Sequence, residues 1–233
     1  MPLYFRPFAA AATLFAAAGI AVAVRPAHAQ SLAFDITLGA DAVGGGYGNF
    51  GYSFSVNLPI TVTGLSFFNY NGNGIVQNHD VGLWNADGSQ LLSSVTISPA
   101  DGYALSTYRR SDSSPPARWY EHAVAPVVLL PGTYVLATAT MAIDDFYSAN
   151  RVSIAAQPGV SYGKRRYVNN TDGKLAFPSG VDNTVNGDFG PNFQFVAVPE
   201  ARTPALLAGA AFAATLLARR RTGRRPLPAL VRE

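Results

Sequence analysis

Hydrophobic and polar residues alternate with a period of two along many short segments between residues 30 and 197. Tyr52, Phe54 and Val56, for example, are separated by serines, which is typical of a strand with one buried face. The other segments of this kind are 60–67, 81–85, 91–97, 119–124, 127–130, 133–140, 151–155, 161–168 and 193–198. No part of this region has the period of a helix, so the sequence predicts an all-β domain.

Glycine, proline and asparagine separate the predicted strands. Residues 85–88, Asn-Ala-Asp-Gly, predict the turn of a hairpin. Residues 98–118 have no clear strand core, and we expect a loop at 111–116. Because many short strands with such turns favour two packed sheets, we expect a single antiparallel β-sandwich, jelly-roll-like, over residues 30–197.

The N-terminal segment has the pattern of an export signal. Arg6 precedes an uncharged, alanine-rich run, and the small residues Ala27 and Ala29 stand just before Gln30. A positive start, an apolar middle and small residues at −3 and −1 are typical of a secretory signal peptide. We therefore predict a signal helix over residues 1–29, cleaved between Ala29 and Gln30. An arginine within the cleavage region leaves open the alternative of an uncleaved membrane anchor.

The C-terminal segment has the pattern of a short membrane anchor. The 16 residues 203–218 are uncharged and rich in alanine and leucine, and Arg219, Arg220 and Arg221 follow them. As a helix they would span about 24 Å, less than a hydrocarbon core of about 30 Å. The arginines are predicted to stay in the cytoplasm by the positive-inside rule. This orientation puts residues 30–197 outside the inner membrane.

Residues 198–221 resemble the PEP-CTERM sorting signal of Gram-negative bacteria, which has a Pro-Glu-Pro motif, an apolar helix and an arginine cluster. The resemblance implies that an exosortase, a membrane-bound processing enzyme, recognises the motif Val198, Pro199, Glu200 and Ala201. Two features depart from the family pattern. Ala201 replaces the usual second proline, which puts processing in doubt, and residues 222–233 extend beyond the usual end as a basic cytoplasmic tail.

Three stretches of the middle region resemble β-sandwich domains that are common in PEP-CTERM proteins. They are residues 79–92, 130–134 and 189–193. The resemblance implies the same fold and a surface location, and it brings no established activity or site residues with it.

The charge of the chain is unevenly distributed. The whole chain has a formal net charge of +3, whereas residues 30–198 contain eight basic and twelve acidic side chains, a net charge of about −4. The positive charge therefore lies in the tails, where it indicates membrane topology and not nucleic-acid binding. The chain has no cysteine, which excludes disulfides and thiolate metal sites.

Candidate metal ligands are few. His79 and His122 each have an acidic neighbour in the sequence, but neighbours in a strand point to opposite faces and do not form chelating pairs. Residues 69–80 imitate a calcium loop, yet they contain a single carboxylate. Asp144 and Asp145 are a slightly better candidate pair for calcium, although still a weak one. The sequence thus predicts no metal and no cofactor.

Signatures of catalysis are missing from the sequence of the middle region, which has no Gly-x-Ser-x-Gly elbow. Aromatic residues are enriched there, and we expect most of them in the core, with a sugar-stacking face as the alternative. They include Trp84, Trp119, Tyr103, Tyr108, Tyr120, Tyr162 and Tyr167. The basic residues 164–166 either contact an acidic polysaccharide or form a solvated turn.

These observations predict an exported, non-enzymatic protein of the cell envelope or extracellular matrix. Its expected partners are the secretion machinery, an exosortase-type enzyme, the membrane through the C-terminal helix, and extracellular polysaccharide, with no nucleic acid. An inner-membrane precursor would be followed by a form at the cell surface or outside the cell. The alternatives are a carbohydrate-binding surface module, which needs clustered exposed aromatics, and an envelope hydrolase, which needs a cleft with convergent catalytic groups.

Overall fold

A computed structural model describes residues 30–38, 41–43, 47–109, 114–140, 145, 147–149, 153–170, 172–183 and 188–198. The described part is built from strands and contains no helix. The strands are β1 (Ser31–Leu32), β2 (Phe34–Leu38), β3 (Asp41–Val43), β4 (Gly48–Val56), β5 (Ile60–Asn69), β6 (His79–Asn85), β7 (Leu91–Ile97), β8 (Gly102–Arg109), β9 (Pro116–Leu129), β10 (Gly132–Thr140), β11 (Tyr147–Ala149), β12 (Ser153–Ala156), β13 (Val160–Val168), β14 (Gly180–Asp182), β15 (Asp188–Phe189) and β16 (Pro191–Ala197). The predicted all-β class is confirmed. The predicted signal helix and C-terminal transmembrane helix lie outside the described residues.

Two large antiparallel sheets contain most of the strands. The first sheet has the order β1-β16-β5-β9-β8, and the second sheet has the order β14-β13-β4-β10-β6-β7. Two small sheets, β15-β11-β3 and β12-β2, accompany them. Many neighbours in the sheets are distant in the chain, so the topology depends on long-range pairing and not only on hairpins.

Hydrophobic side chains from both large sheets form one buried cluster. Phe54 of the second sheet lies against Phe193 of the first, with their ring centroids 4.7 Å apart. Phe34 of β2 inserts between the sheets and meets Tyr52 at 5.5 Å and Phe193 at 6.0 Å. Edge-to-face and tilted ring pairs of this kind add to the free energy gained by burying the rings.

An irregular segment after β13 covers part of the outer face of the second sheet. The Asn49 side chain donates to the Lys174 carbonyl at 3.0 Å and accepts from the Ala176 N–H at 2.9 Å. Phe177 lies 6.1 Å from the Trp84 ring. Gly88 has a φ of +77° in the β6–β7 turn, and a Cβ atom there would overlap the Phe177 ring. This glycine is therefore required both by the turn and by the covering segment.

Several strands differ from the sequence prediction. β8 was not predicted, because it is an edge strand whose residues are mostly exposed and polar, without clear hydrophobic alternation. Segment 119–124 and all but the last residue of segment 127–130 form the single strand β9, which has a register irregularity opposite Val62 and Gly64. Pro126 lies in this irregular stretch, where a missing backbone N–H is tolerated.

Truncation of Phe34 tests the shared core. We expect Phe34→Ala to lower the free energy of unfolding by about 3–5 kcal/mol, because the ring is almost fully buried among aromatic neighbours. Leu105→Ala, at a position that is 63% exposed, is the control and is expected to change it by about 0.5 kcal/mol or less. Urea denaturation followed by tyrosine and tryptophan fluorescence measures both, and equal effects would contradict the shared core.

Candidate functional site

The two ends of the described β domain lie side by side. β1 pairs antiparallel with β16, with Ser31 opposite Phe195, and the Gln30 side-chain amide donates to the Gln194 side-chain oxygen. At the other end of the chain, the Val198 N–H donates to the Pro59 carbonyl at 3.0 Å. Because β1 and β16 run in opposite directions, the chain enters and leaves the domain at the same end of the first sheet.

The other residues predicted for targeting lie outside the described part of the chain. These are the cleavage-site residues Ala27 and Ala29, the motif residues Pro199, Glu200 and Ala201, and the arginines Arg219, Arg220 and Arg221. The structure describes two of the predicted site residues, Gln30 and Val198. Both are exposed.

Asp145 is the centre of a buried hydrogen-bond cluster. Its carboxylate accepts from the Val76 N–H at 2.9 Å, the Gln77 N–H at 3.1 Å and the His79 Nε2 at 2.9 Å. The His79 ring stacks on Phe67 with their centroids 3.7 Å apart. The cluster holds the loop between β5 and β6 against the core.

This arrangement gives Asp145 a structural role. Both of its oxygens already accept hydrogen bonds from the protein, and no group of three or more potential metal-ligating residues occurs among the residues that the structure describes. Asp144 lies outside these residues. In the loop that imitates a calcium site, the Asn69 side chain instead bonds to the backbone of Gly74 in both directions.

Two histidines have an acidic neighbour in the sequence, and neither histidine bonds to that neighbour, as the strand geometry predicts. Asp80, next to His79, accepts from the Thr96 hydroxyl at 2.6 Å and not from the histidine. His122 donates to Asp101 at 2.8 Å and not to its neighbour Glu121. Burial alone would raise the pKa of Asp101, but hydrogen bonds from Ser98 and His122 lower it below its ordinary value.

Arg165 of the second sheet forms ion pairs with two aspartates. Its guanidinium donates to Asp188 at 2.6 Å and to Asp182 at 3.3 Å. Burial raises the pKa of Asp188 above its usual range, although Arg165 opposes this shift. Tyr162 is part of the same region, and burial together with the charge of Asp188 raises its pKa. Residues 164–166 lie in strand β13, within the segment 161–168 that was predicted as a strand, so they do not form a turn, although Lys164 is exposed.

An open groove lies on the outer face of the first sheet. It has a volume of about 500 Å³ and is lined by Gln30, Leu32, Ala104, Glu121, Ala123 and Gln194. Burial raises the pKa of the Glu121 carboxyl, and a hydrogen bond from Gln194 opposes the shift. The groove therefore contains both Gln30, where the chain enters the domain, and Glu121, whose carboxyl group has a raised pKa.

Most of the aromatic side chains are buried, as expected. Trp84 and Trp119 are 5% and 1% exposed. Among the described residues, the most exposed aromatic side chains are Tyr47, which precedes β4 of the second sheet, and Tyr103, which lies in β8 of the first. The Arg118 guanidinium stacks on Tyr103, 4.4 Å from its ring centroid. These two tyrosines belong to different sheets and do not form a common stacking face.

No protein-family model matches the chain, and no curated protein is significantly similar to it. The likeness of the C-terminal residues to the PEP-CTERM signal therefore stays a prediction. Within the part of the chain that the structure describes, there is no helix long and apolar enough to cross a membrane.

Removal of the Asp145 carboxylate tests the buried cluster. Asp145→Ala leaves two backbone N–H groups and His79 without their acceptor, so we expect it to lower the free energy of unfolding by about 3–5 kcal/mol. Asp145→Asn keeps one acceptor oxygen and is expected to cost less. Chemical denaturation ranks the variants, and the reverse order, or a thermal midpoint raised by millimolar calcium, would contradict the structural role.

The raised pKa of Glu121 predicts a pH-dependent stability. A folded-state pKa above the unfolded value of about 4.3 means that the contribution of Glu121 to stability is most favourable below about pH 4 and is lost as the pH rises through the folded pKa. We therefore expect Glu121→Gln to raise the thermal midpoint at pH 7 and to leave it unchanged near pH 3.5. Asp101→Asn is the matched control of opposite sign, because the pKa of Asp101 is lowered. A Glu121→Gln midpoint that is lower than wild type at pH 7 would refute the assignment.

Proposed function

We propose that this chain is an exported, non-enzymatic protein of the cell envelope or extracellular matrix, whose β domain is held at the membrane by the C-terminal segment. The two large sheets are proposed to form one jelly-roll-like β-sandwich. The observation that carries the proposal is the position of the chain ends, since β1 and β16 are neighbours and run in opposite directions.

This position supports attachment of both terminal segments to one membrane. A predicted signal peptide that ends at Ala29 and a predicted anchor that begins at Thr203 would leave from the same end of the domain. Neither segment would have to pass around the sheets to reach the bilayer. The charge distribution agrees with this topology, because the domain is acidic and the arginines that are expected to stay in the cytoplasm follow the apolar segment.

The proposal extends to the sorting motif. The Val198 N–H donates to the Pro59 carbonyl just after the end of β16, and the motif residues Pro199, Glu200 and Ala201 come next in the sequence. An exosortase-type enzyme would thus meet its motif between a folded domain and an apolar segment. After release, the β domain is proposed to associate with extracellular polysaccharide.

The two alternatives receive less support from the described residues. A carbohydrate-binding module would stack sugars on clustered exposed rings, whereas Tyr47 and Tyr103 belong to different sheets and both tryptophans are buried. An envelope hydrolase would place a histidine and a carboxylate in a cleft. His79 and Asp145 are buried under the β5–β6 loop, and the exposed pair His122–Asp101 does not line the groove beside Gln30.

Expression in an exosortase-bearing host tests the proposal. We expect the mature chain to begin at Gln30 and to be found in the membrane fraction, and a truncation that ends at Ala197 to be found in the soluble periplasm. Ala201→Pro restores the usual motif and is expected to increase the fraction that is cleaved and released. Mass spectrometry of each fraction identifies the first and last residues of the protein.

The matched control for this experiment is Ala205→Pro, which adds a proline outside the motif. A full-length chain that keeps residues 1–29 and stays in the cytosol would contradict the proposal. Equal processing of the wild type, Ala201→Pro and Ala205→Pro would contradict the sorting motif while leaving simple anchoring in place.

A further inference from the structure

Three neighbouring strands of the first sheet end together where the chain leaves the domain. Ile60, at the start of β5, pairs with Leu129 of β9 on one side and with Ala197 of β16 on the other. Just beyond this row of paired residues, the chain exposes Leu58, Leu130 and Val198. Val128, paired with Thr61, is exposed beside them. We call the four side chains Leu58, Val128, Leu130 and Val198 the apolar end.

The apolar end groups four exposed large hydrophobic side chains in one region of the first sheet. Leu58 is 51% exposed, Val128 60% and Leu130 62%. Scattered single hydrophobic residues are normal on a protein surface, but an exposed hydrophobic patch is typical of a site that binds a protein or a membrane. The strand register brings these four positions close together, because they lie in or next to adjacent strands whose ends are aligned.

The connections at the apolar end are also free of charge. Residues 57–61, 125–133, 157–161 and 196–198 contain no acidic or basic side chain. They come together here because Val56 pairs with both Gly132 and Val160, which begin the next strands. The β6–β7 turn, at the margin of this end, carries Asp87. An uncharged surface can approach lipid tails without the cost of dehydrating ions.

The length of the chain after β16 limits where this surface can be. Four residues, 199–202, lie between Val198 and Thr203, the first residue of the uncharged segment 203–218, so the two are five residue steps apart. At about 3.3–3.6 Å per residue, these steps extend at most about 18 Å. If the segment inserts as proposed above, the apolar end must lie near the headgroup region, which occupies about 5–8 Å on each side of the hydrocarbon core.

The geometry points to a membrane-contact surface: the apolar end rests in the interface of the bilayer into which residues 203–218 insert, with Leu58 and Leu130 in contact with lipid. This inference rests on the proposed anchoring and adds a fixed orientation of the domain to it. The strands of the first sheet then point towards the membrane, and β8, with Tyr103 and Leu105, faces the aqueous side.

The absence of cysteine from the chain allows a direct test. Leu58→Cys, Leu130→Cys, Leu105→Cys and Leu207→Cys are made one at a time in the full chain and labelled with a nitroxide. The proteins are reconstituted into vesicles of phosphatidylethanolamine and phosphatidylglycerol. Collision of each label with oxygen, which enters lipid, is compared with collision with a water-soluble nickel chelate. Leu105 is the matched control, because its exposure of 63% equals that of Leu130 within one percentage point.

We expect the oxygen-to-nickel ratio at Leu58 and Leu130 to exceed that at Leu105 several-fold and to approach the ratio at Leu207. A high ratio at Leu207 with aqueous values at Leu58 and Leu130 would overturn the contact surface and leave the anchor intact. An aqueous value at Leu207 would overturn the anchor and the contact surface together. Labels at Leu58 and Leu130 that are shielded from both reagents would show coverage by protein, either a second copy or the chain's own tail, and would overturn lipid contact.

Discussion

The antiparallel pairing of the first and last described strands is the constraint on which the rest of the account depends. β1 lies at the edge of the first sheet and its neighbour β16 is paired with β5 on the other side. Because of this pairing, the chain enters and leaves the β domain at the same end of the first sheet. Since Phe34 follows β1 directly and enters the shared core, the same pairing also fixes the aromatic packing between the sheets. Targeting geometry and stability therefore have a common origin in one strand pair.

Ionisable side chains of the described residues serve mainly to fasten loops and strand ends to this frame. Asp145 holds the β5–β6 loop through backbone N–H groups, and Asp35 joins β2 to β8 and to the indole of Trp119. Arg165 connects β13 to Asp188 of a small sheet. These contacts satisfy buried polar groups that would otherwise be costly. Two regions are open to solvent instead. They are the groove beside Gln30, which contains Glu121, and the uncharged apolar end.

The sequence predicted the parts of the structure that depend on local pattern. β4 was predictable, because one face is buried and Tyr52, Phe54 and Val56 alternate with more polar residues. β8 was not, because an edge strand needs no hydrophobic alternation. Contacts between distant residues were also beyond a local pattern: His79 and Asp145 are 66 positions apart. The apolar end was missed for the same reason, since its residues belong to segments that are distant in the sequence and that only the strand register brings together.

The most direct test of the central claim is the side of the inner membrane on which the β domain lies. A single cysteine at Leu105 in the otherwise cysteine-free chain can be treated in spheroplasts with a membrane-impermeant thiol reagent. The account predicts full labelling in intact spheroplasts, with no increase after lysis. Labelling that occurs only after lysis would place the domain in the cytoplasm and contradict export, anchoring and the contact of the apolar end with the outer leaflet.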